Sequence, residues 1–279
     1  MAQPTQVPGR REQLPALKDL SRSVAHVDIA VLLGTGILAG LVAMVARRAR
    51  TATPFLAAGG ALASALALAL RLGRRSGVTD AEVRRALPGD DLIANPGLVT
   101  DRAITIHAPA QDVWPWVVQM GYHRGGWYTS RWLDKLLWRI DNPSADRIIP
   151  EFQQLRVGEV VPDGPPGTAH FTVAALEPGR AIVYLDDAGT HVPGTAFSWA
   201  FVLEPLDGRT TRVQVRTRGT YPPSPVIRRL HRVVIGPADF VMVSGQMLRG
   251  IKRRAERAWA SRRGAEDAPV GDRVTSASP

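Results

Sequence analysis

The richest group of polar side chains in the chain lies between residues 123 and 151. It combines an imidazole, two guanidinium groups, a phenol and two carboxyl groups: His123, Arg124, Tyr128, Asp146, Arg147 and Glu151. An arginine and a tyrosine at the mouth of a cavity can fix a carboxylate, phosphate or enolate oxygen, and a carboxylate whose pKa is raised by burial can act as a general base. The alternative is an Arg–Asp ion-pair network that ties the helices and the long loop together, because buried arginines generally need such partners. We favour this structural interpretation.

Sequence signatures of common catalytic and metal sites are missing. The chain contains no GxSxG, HExxH or Walker motif, and no GxGxxG that opens a helix after a strand. It has no cysteine, and its six histidines lack the spacing of metal ligands. Two of these histidines, His170 and His191, lie near predicted strand ends and are expected to face solvent, while Asp186-Asp187 predicts a solvated turn. The sequence thus indicates no metal and no cofactor, and it names no catalytic residue.

Aromatic residues on predicted strands supply further candidates. Phe197, Trp199 and Phe201 alternate on one face of a strand, and Tyr184 can present its hydroxyl group to a cavity. Packing in a core explains the three residues of that strand at least as well, and a surface or rim position is equally compatible with the pattern at Tyr184. Together with the polar group they complete the set that we predict to contact a ligand: Arg124, Tyr128, Trp132, Asp146, Arg147, Tyr184, Trp199 and Met247.

The elements that must position these side chains begin with a strand and a helix. Alternation predicts a strand over Arg102–His107, which Pro109 ends. A helix follows over Gln111–Met120. Because Pro115 is tolerated only in the first turn of a helix, its position predicts Asp112 as the residue that caps the amino-terminal end.

An antiparallel meander and a long helix complete the predicted domain. After a second helix at Ser130–Ile140, the pattern changes to short strands: Glu159–Val161, Ala169–Ala175, Ala181–Asp186, Thr195–Glu204 and Thr211–Thr217. The last two strands form a hairpin. A helix with Pro237 in its first turn then runs to about Ala258. The basic amphipathic stretch Pro225–Gly236 before it either lies on a membrane surface or packs on the sheet.

This order of elements, and the residues that form it, resemble a known superfamily. ITIHAPAQDVWPWVVQMG, residues 104–121, resembles the first strand and helix of the START/Bet v 1-like (SRPBCC) superfamily, which includes polyketide cyclase/dehydrase-like and lipid-transport proteins. Three further stretches resemble a bacterial branch of it: residues 124–137, 145–161 and 239–256. The resemblance covers about residues 88–260. It implies an α+β helix-grip fold, in which a curved antiparallel sheet wraps against a long C-terminal helix around an apolar cavity, and it implies no defined catalytic set.

Two apolar runs precede this domain and predict transmembrane helices. Residues 27–46 carry one charge, Asp28, and residues 54–70 carry none, so the runs have the length and character of membrane spans. The predicted organisation is a disordered tail, a transmembrane hairpin, a linker, the helix-grip domain and a second disordered tail: 1–26, 27–72, 73–100, 101–263 and 264–279. Lys and Arg concentrate on the terminal side of the hairpin, which predicts a multi-pass cell-membrane protein with its C-terminal domain in the cytoplasm.

The distribution of charge argues against nucleic acid as a partner. The net charge is +10, but residues 100–224 carry 12 Lys and Arg against 13 Asp and Glu. The basic excess therefore belongs to the two flanks, where it suits anionic lipid head groups. The predicted partners are accordingly a small hydrophobic ligand and membrane lipid.

Three kinds of function are compatible with these patterns. We favour a membrane-anchored helix-grip domain that binds a small apolar or amphipathic molecule, such as a lipid, an isoprenoid or a polyketide-like compound. The second is a cyclase, dehydratase or hydrolase that uses Arg124, Tyr128 and an acid such as Asp146 or Glu151, which requires these side chains to converge on one point. The third is a non-catalytic interaction module, in which Phe197, Trp199 and Met247 fill the interior.

Overall fold

The computed structural model describes residues 52–133, 135 and 143–266. The chain divides into two compact units, Met1–Leu66 and Ala67–Pro279. In the first unit, the described residues form part of one helix. The second unit contains the sheet, the remaining helices and every site considered below.

The described residues contain five α-helices of five or more residues and seven strands. The helices are α1 (Ala52–Arg74), α2 (Asp80–Arg84), α3 (Ala110–Val118), α4 (Pro225–Asp239) and α5 (Leu248–Glu266). The strands are β1 (Arg75–Ser76), β2 (Leu98–Ile106), β3 (Val160–Pro162), β4 (His170–Glu177), β5 (Ala181–Asp186), β6 (Phe197–Asp207) and β7 (Thr210–Gly219). Short helical turns occur at Arg131–Leu133 and Pro150–Phe152, and a π-helical segment, Phe240–Met247, joins α4 to α5.

The strands form one sheet in the order β1-β2-β7-β6-β5-β4-β3. Every neighbouring pair is antiparallel except β1 and β2, which are parallel over two residues. Helix α5 packs on α3 and β2, and its Ile251 and Ala255 are fully buried in the main core. A mostly antiparallel sheet against a long C-terminal helix is the helix-grip arrangement that the sequence predicts. The hairpin of the last two strands is confirmed.

Alternation along the strands decides which residues enter the core. Because successive side chains point to opposite faces, Ile182 and Tyr184 of β5 share the inner face with Trp199 and Phe201 of β6. The helical side of the core comes from the π-helical segment and α5: Val243, Met247, Leu248, Ile251 and Ala255. The inner face is therefore apolar and rich in aromatic rings.

Residues 75–97, predicted as most of a linker, are held on the outer face of the sheet. Arginines that point outward from β7 need carboxylates there, and this segment provides them. The Arg212 Nε atom lies 2.7 Å from Glu82 Oε1, and the Arg216 Nη1 atom lies 2.7 Å from Asp90 Oδ2. Leu87 packs with Ala181 and Val202 in a small second core. The segment is thus an integral layer of the domain.

Helix α3 begins earlier than its proline suggests, so the prediction of Asp112 as N-cap was wrong. Pro109 is the N-cap, with φ −59° and ψ 151°, and its carbonyl accepts from the backbone N–H groups of Asp112 and Val113. Asp112 therefore lies in the first turn, where a negative charge suits the helix dipole. Pro115 lies inside the helix, and Trp116 and Val117 after it are buried in the core.

The C-terminal helix is also longer and less regular than predicted. Helical structure starts at Pro225, so Pro237 lies near the end of α4 and not in the first turn of a new helix. Proline lacks the N–H group that would continue the ladder. The backbone N–H of Phe240 donates to both Gly236 and Pro237, and the π-helical segment begins at that residue.

Much of the predicted membrane hairpin lies outside the described residues. The run at 27–46 and both predicted tails, except residues 264–266 of α5, belong to those parts of the chain. The run at 54–70 falls within α1. Over the ranges 52–133 and 143–266, no helix has the length and apolar character that crossing a membrane requires. Of the predicted helix at Ser130–Ile140, the structure describes only Arg131–Leu133 as an α-helical turn.

Candidate functional site

Six aromatic residues form one contiguous group on the inner face of the sheet. We call them the aromatic cluster: Trp127, Phe171, Tyr184, Phe197, Trp199 and Phe201. Tyr184 and Trp199 are directly opposite each other on β5 and β6. Trp127 comes from the loop after α3, and its ring centroid lies 5.6 Å from that of Trp199. The sheet therefore supplies most of the cluster, and the loop covers it.

Three polar atoms of the aromatic cluster are buried without a hydrogen-bond partner. They are the indole nitrogens of Trp127 and Trp199 and the phenol oxygen of Tyr184. These residues are 6%, 9% and 0% exposed. An unpaired buried donor costs about 1–3 kcal/mol, and most buried polar groups in proteins are paired. Among the described residues, three of the seven buried side-chain atoms without a partner lie in this one cluster.

The chemistry of these three atoms limits what they can bind. Burial raises the pKa of the Tyr184 phenol well above its ordinary value, so the hydroxyl is neutral. Each indole N–H can only donate a hydrogen bond, whereas the hydroxyl can donate or accept. The cluster thus places two N–H donors and one hydroxyl group among closely packed aromatic rings.

The structure brings together four of the residues predicted to contact a ligand in one core. Tyr184 and Trp199 belong to the aromatic cluster, and Met247 is 1% exposed in the same core. Phe197 packs against that core from its edge. Tyr128 is 1% exposed in that core as well, and the four other predicted residues lie outside it.

Arg124 is held by the protein itself. Its Nε atom donates to the carbonyl of Met120 at 3.0 Å, and its Nη1 atom lies 3.1 Å from Glu159 Oε1. Its Nη2 atom donates to two further carbonyls, and its guanidinium group stacks on Phe152 at 4.9 Å. These contacts fasten the loop after α3 to the approach to β3. Arg124 therefore has the structural role that we favoured.

Tyr128 is also engaged by protein groups. Its hydroxyl donates to the Trp116 carbonyl at 2.8 Å and accepts from Gln119 Nε2 at 3.0 Å. Burial raises the pKa of this phenol well above its ordinary value. Arg254 of α5 lies over the ring at 4.9 Å. Tyr128 therefore connects the loop after α3 to both α3 and α5.

The remaining predicted residues lie at the surface. The exposed carboxylate of Asp146 pairs with Arg254 at 2.9 Å. Trp132 is 62% exposed, and Arg147 and Glu151 are exposed as well. Hence Arg124, Tyr128, Asp146 and Glu151 do not converge on one point, as the proposed cyclase, dehydratase or hydrolase mechanism would require.

A carboxylate–imidazole–carboxylate group, which the sequence did not suggest, lies at the edge of the aromatic cluster. We call Asp163, Asp186 and His191 the histidine clasp. The Nε2 atom of His191 lies 3.0 Å from Asp163 Oδ2, and its Nδ1 atom lies 2.7 Å from Asp186 Oδ2. The imidazole also stacks against Phe171 and Phe197. The predictions of solvent exposure were therefore wrong for His191 and for Asp186, which is 3% exposed.

The pKa values of the three residues of the histidine clasp are shifted by burial and by their interactions with one another. Burial lowers the pKa of His191, but hydrogen bonds and charges from the two carboxylates outweigh this and raise it. Burial raises the pKa of Asp163, and that of Asp186 is lowered because two backbone N–H groups and His191 outweigh its burial. Since both ring nitrogens are occupied, the clasp holds the β3–β4 and β5–β6 loops together. Among the described residues, no group of His, Cys, Asp and Glu is arranged to hold a metal ion.

A groove of about 520 Å³ lies apart from the aromatic cluster, beside the end of α5. Its lining includes Arg209, Trp259 and Arg263 together with Glu256. Glu256 already accepts from Lys252 and from the backbone of His107. The groove has no unpartnered buried polar atom, so the aromatic cluster is the better candidate.

Comparisons with known proteins are limited to solved structures of low similarity. No family model and no curated protein matches the chain. Protein MLL2253 from Mesorhizobium loti is 16% identical, with a TM-score of 0.33 over 57% of this chain and 97% of that one. The di-domain ARO/CYC StfQ from the steffimycin biosynthetic pathway is 18% identical, with a TM-score of 0.36 over 63% of this chain and 55% of that one. CalU16 from Micromonospora echinospora is 15% identical, with a TM-score of 0.28 over 58% and 86%. At these values the helix-grip assignment rests on the strand order and the C-terminal helix.

Proposed function

We propose that the C-terminal domain binds a small apolar or amphipathic molecule within the aromatic cluster. The observation that carries this proposal is the set of three unpartnered polar atoms, on Trp127, Tyr184 and Trp199, in an otherwise apolar interior. A ligand oxygen that accepts from an indole N–H would satisfy a group that the protein leaves unpaired. Packing alone would favour phenylalanine at these positions, because phenylalanine fills similar space without a buried polar atom.

The proposed ligand is uncharged where it meets the cluster. The residues that define the cluster carry no ionised group. The nearby imidazole is compensated by Asp163 and Asp186, and the charges of Arg124 and Glu159, which act on Tyr184, compensate each other in an ion pair. Aromatic faces favour a flat or extended carbon skeleton. Lipid, isoprenoid and polyketide-like molecules that carry carbonyl or hydroxyl oxygens meet both requirements. Membership of the START/Bet v 1-like superfamily, which we infer from the residues quoted above, agrees with this class.

Membrane anchoring through the N-terminal apolar region is the second part of the proposal. The run at 27–46 and the basic residues that flank the apolar region support it. In this arrangement the domain lies on the cytoplasmic side, close to a source of apolar ligands. Protease protection of the N-terminal region in sealed membrane vesicles tests this part without reference to the ligand.

Ligand binding is tested with the detergent-purified full-length protein by native mass spectrometry, followed by denaturing extraction. We expect one small molecule per chain, and we expect Tyr184→Phe and Trp199→Phe to lower its retention. Tyr128→Phe is the matched control, because it removes a buried hydroxyl group that already has protein partners. Protein that carries nothing, and that also fails to take up flat probe molecules such as hydroxylated naphthalenes, would overturn the proposal.

A further inference from the structure

Helix α4 presents a row of apolar side chains to solvent. Val226, Ile227, Leu230 and Val233 are 75%, 50%, 45% and 47% exposed. The last three follow Val226 by one, four and seven residues, and this spacing places all four on one side of the helix. Val234, on the same side near the C-terminal end of the helix, is 7% exposed, so the domain covers that end of the row. Side chains of this kind are normally covered, so the exposed face indicates a surface for a partner.

The charge on α4 identifies the chemistry of that partner. The helix carries Arg228, Arg229 and Arg232, and it has no Asp or Glu before Asp239 at its end. Arg228 and Arg229 are exposed. A helix with an exposed apolar face and arginines beside it lies in the interface of an anionic lipid surface, where the apolar side chains enter the head-group region and the arginines meet phosphates. A second copy of the chain fits poorly, because its α4 would bring the same positive charges.

The position of α4 in the fold agrees with this partner. The end of α1 touches the end of α4 at two glycines, and a Cβ atom on Gly73 would lie 2.7 Å from the carbonyl carbon of Gly236. Arg102 fixes this crossing by donating to the carbonyls of Gly73 and Gly236, at 2.7 and 3.2 Å. Its Nη2 atom also lies 2.6 Å from Asp239 Oδ2. The chain that leads back to the apolar runs therefore enters the domain beside α4.

We propose that α4 is a membrane-surface helix, which docks the domain on anionic lipid through its apolar face and its arginines. This proposal is independent of the ligand in the aromatic cluster. It also differs from membrane anchoring through residues 27–46, because it predicts lipid contact at a named surface of the folded domain.

The lack of cysteine in the chain allows a direct test. Ile227→Cys and Val233→Cys in the full-length protein each carry a polarity-sensitive fluorophore. Leu206→Cys is the matched control, since Leu206 is a 55% exposed leucine at the β6–β7 hairpin. The labelled proteins are reconstituted in phosphatidylcholine vesicles or in an equal mixture of phosphatidylcholine and phosphatidylglycerol. On the mixed vesicles we expect a blue-shifted emission at both α4 positions and unchanged emission at position 206.

Charge variants decide whether the arginines contribute. Arg228→Glu with Arg229→Glu should weaken the lipid-dependent shift by at least about tenfold in effective affinity, whereas the matched lysine pair should retain it. Water-like emission from α4 on the mixed vesicles would overturn the proposal. So would an equal shift on phosphatidylcholine alone, which would show that the arginines do not select anionic lipid.

Discussion

The Nδ1 atom of His191 lies 2.7 Å from the Oδ2 atom of Asp186, the last residue of β5. The backbone N–H of His191 donates to the same carboxylate oxygen at 3.0 Å. The loop after β5 therefore folds back on the end of its own strand. Because the other ring nitrogen reaches Asp163, one imidazole fixes two loops at the edge of the aromatic cluster.

The stability of the domain should depend on pH through this imidazole. Its folded pKa is raised, so the folded protein holds the proton more tightly than the unfolded chain does. That contribution is complete below about pH 6.5 and is lost as the pH rises through the higher folded value. The lowered pKa of Asp186 acts at the acid end, where its contribution is lost as the pH falls below 3.8. We therefore expect His191 and Asp186 to stabilise the fold most between these two limits, whereas the raised pKa of Asp163 costs stability as the pH rises and that carboxyl group ionises.

His191→Gln tests this dependence. At pH 5.5 the substitution should lower the free energy of unfolding by about 2 kcal/mol, because two hydrogen bonds to a charged group are weakened. It should also flatten the stability profile between pH 6 and pH 8, measured by urea denaturation. His107→Gln, at an exposed histidine outside the clasp, is the control and should not produce this flattening. A profile that stays the same in the His191 variant would contradict the assignment.

Tyr184→Phe should stabilise the ligand-free domain although it weakens ligand retention. The hydroxyl group is buried without a partner, so its removal eliminates a desolvation cost of about 1 kcal/mol or more. Tyr128→Phe should have the opposite effect and destabilise the domain by about 1 kcal/mol, because its hydroxyl makes two hydrogen bonds. Denaturant unfolding after removal of co-purifying molecules measures both. Equal destabilisation in the two variants would show that the Tyr184 hydroxyl has a protein partner.

The Arg124→Gln variant should unfold more easily than the wild-type protein, without a specific loss of ligand retention. The side chain is 10% exposed and binds Glu159 and three backbone carbonyls. Breaking such a buried network costs about 2–4 kcal/mol. Arg147→Gln, at an exposed arginine, should change stability by less than about 0.5 kcal/mol. Ligand loss in Arg124→Gln at unchanged thermal stability would assign Arg124 to binding after all.

Gly250→Ala should destabilise the domain although alanine is the better helix former. An added Cβ would lie 2.4 Å from the carbonyl oxygen of Tyr128 and 2.7 Å from its Cβ atom. Helix α5 must then move away from the loop after α3, at a cost of about 1–3 kcal/mol. Gly264→Ala in the same helix has nothing within 4 Å and should be neutral or gain up to about 1 kcal/mol. Thermal unfolding of the two variants compares them, and similar stabilities would mean that the close approach is not required.

The sequence by itself determined the fold class and much of the interior. Alternating apolar residues, as in Thr195–Glu204, predict strands because successive side chains point to opposite faces. The same alternation assigns Tyr184 and Trp199 each to one face of its own strand. In the structure both faces point into the interior. Local rules failed at prolines: Pro115 and Pro237 both lie inside helices, since packing of the surrounding side chains offsets one lost hydrogen bond.

Only the tertiary structure decided which polar groups have a hydrogen-bond partner within the protein and which have none. Arg124 and Tyr184 both looked like candidates for a ligand, yet the first is held by partners up to 35 residues away and the second has none. The clasp joins Asp163 to His191 across 28 positions, and no local pattern encodes that contact. Hydrogen-bond partners are set by where strands and loops meet in space. Sequence can therefore propose the residue types of a site, whereas their availability depends on the folded chain.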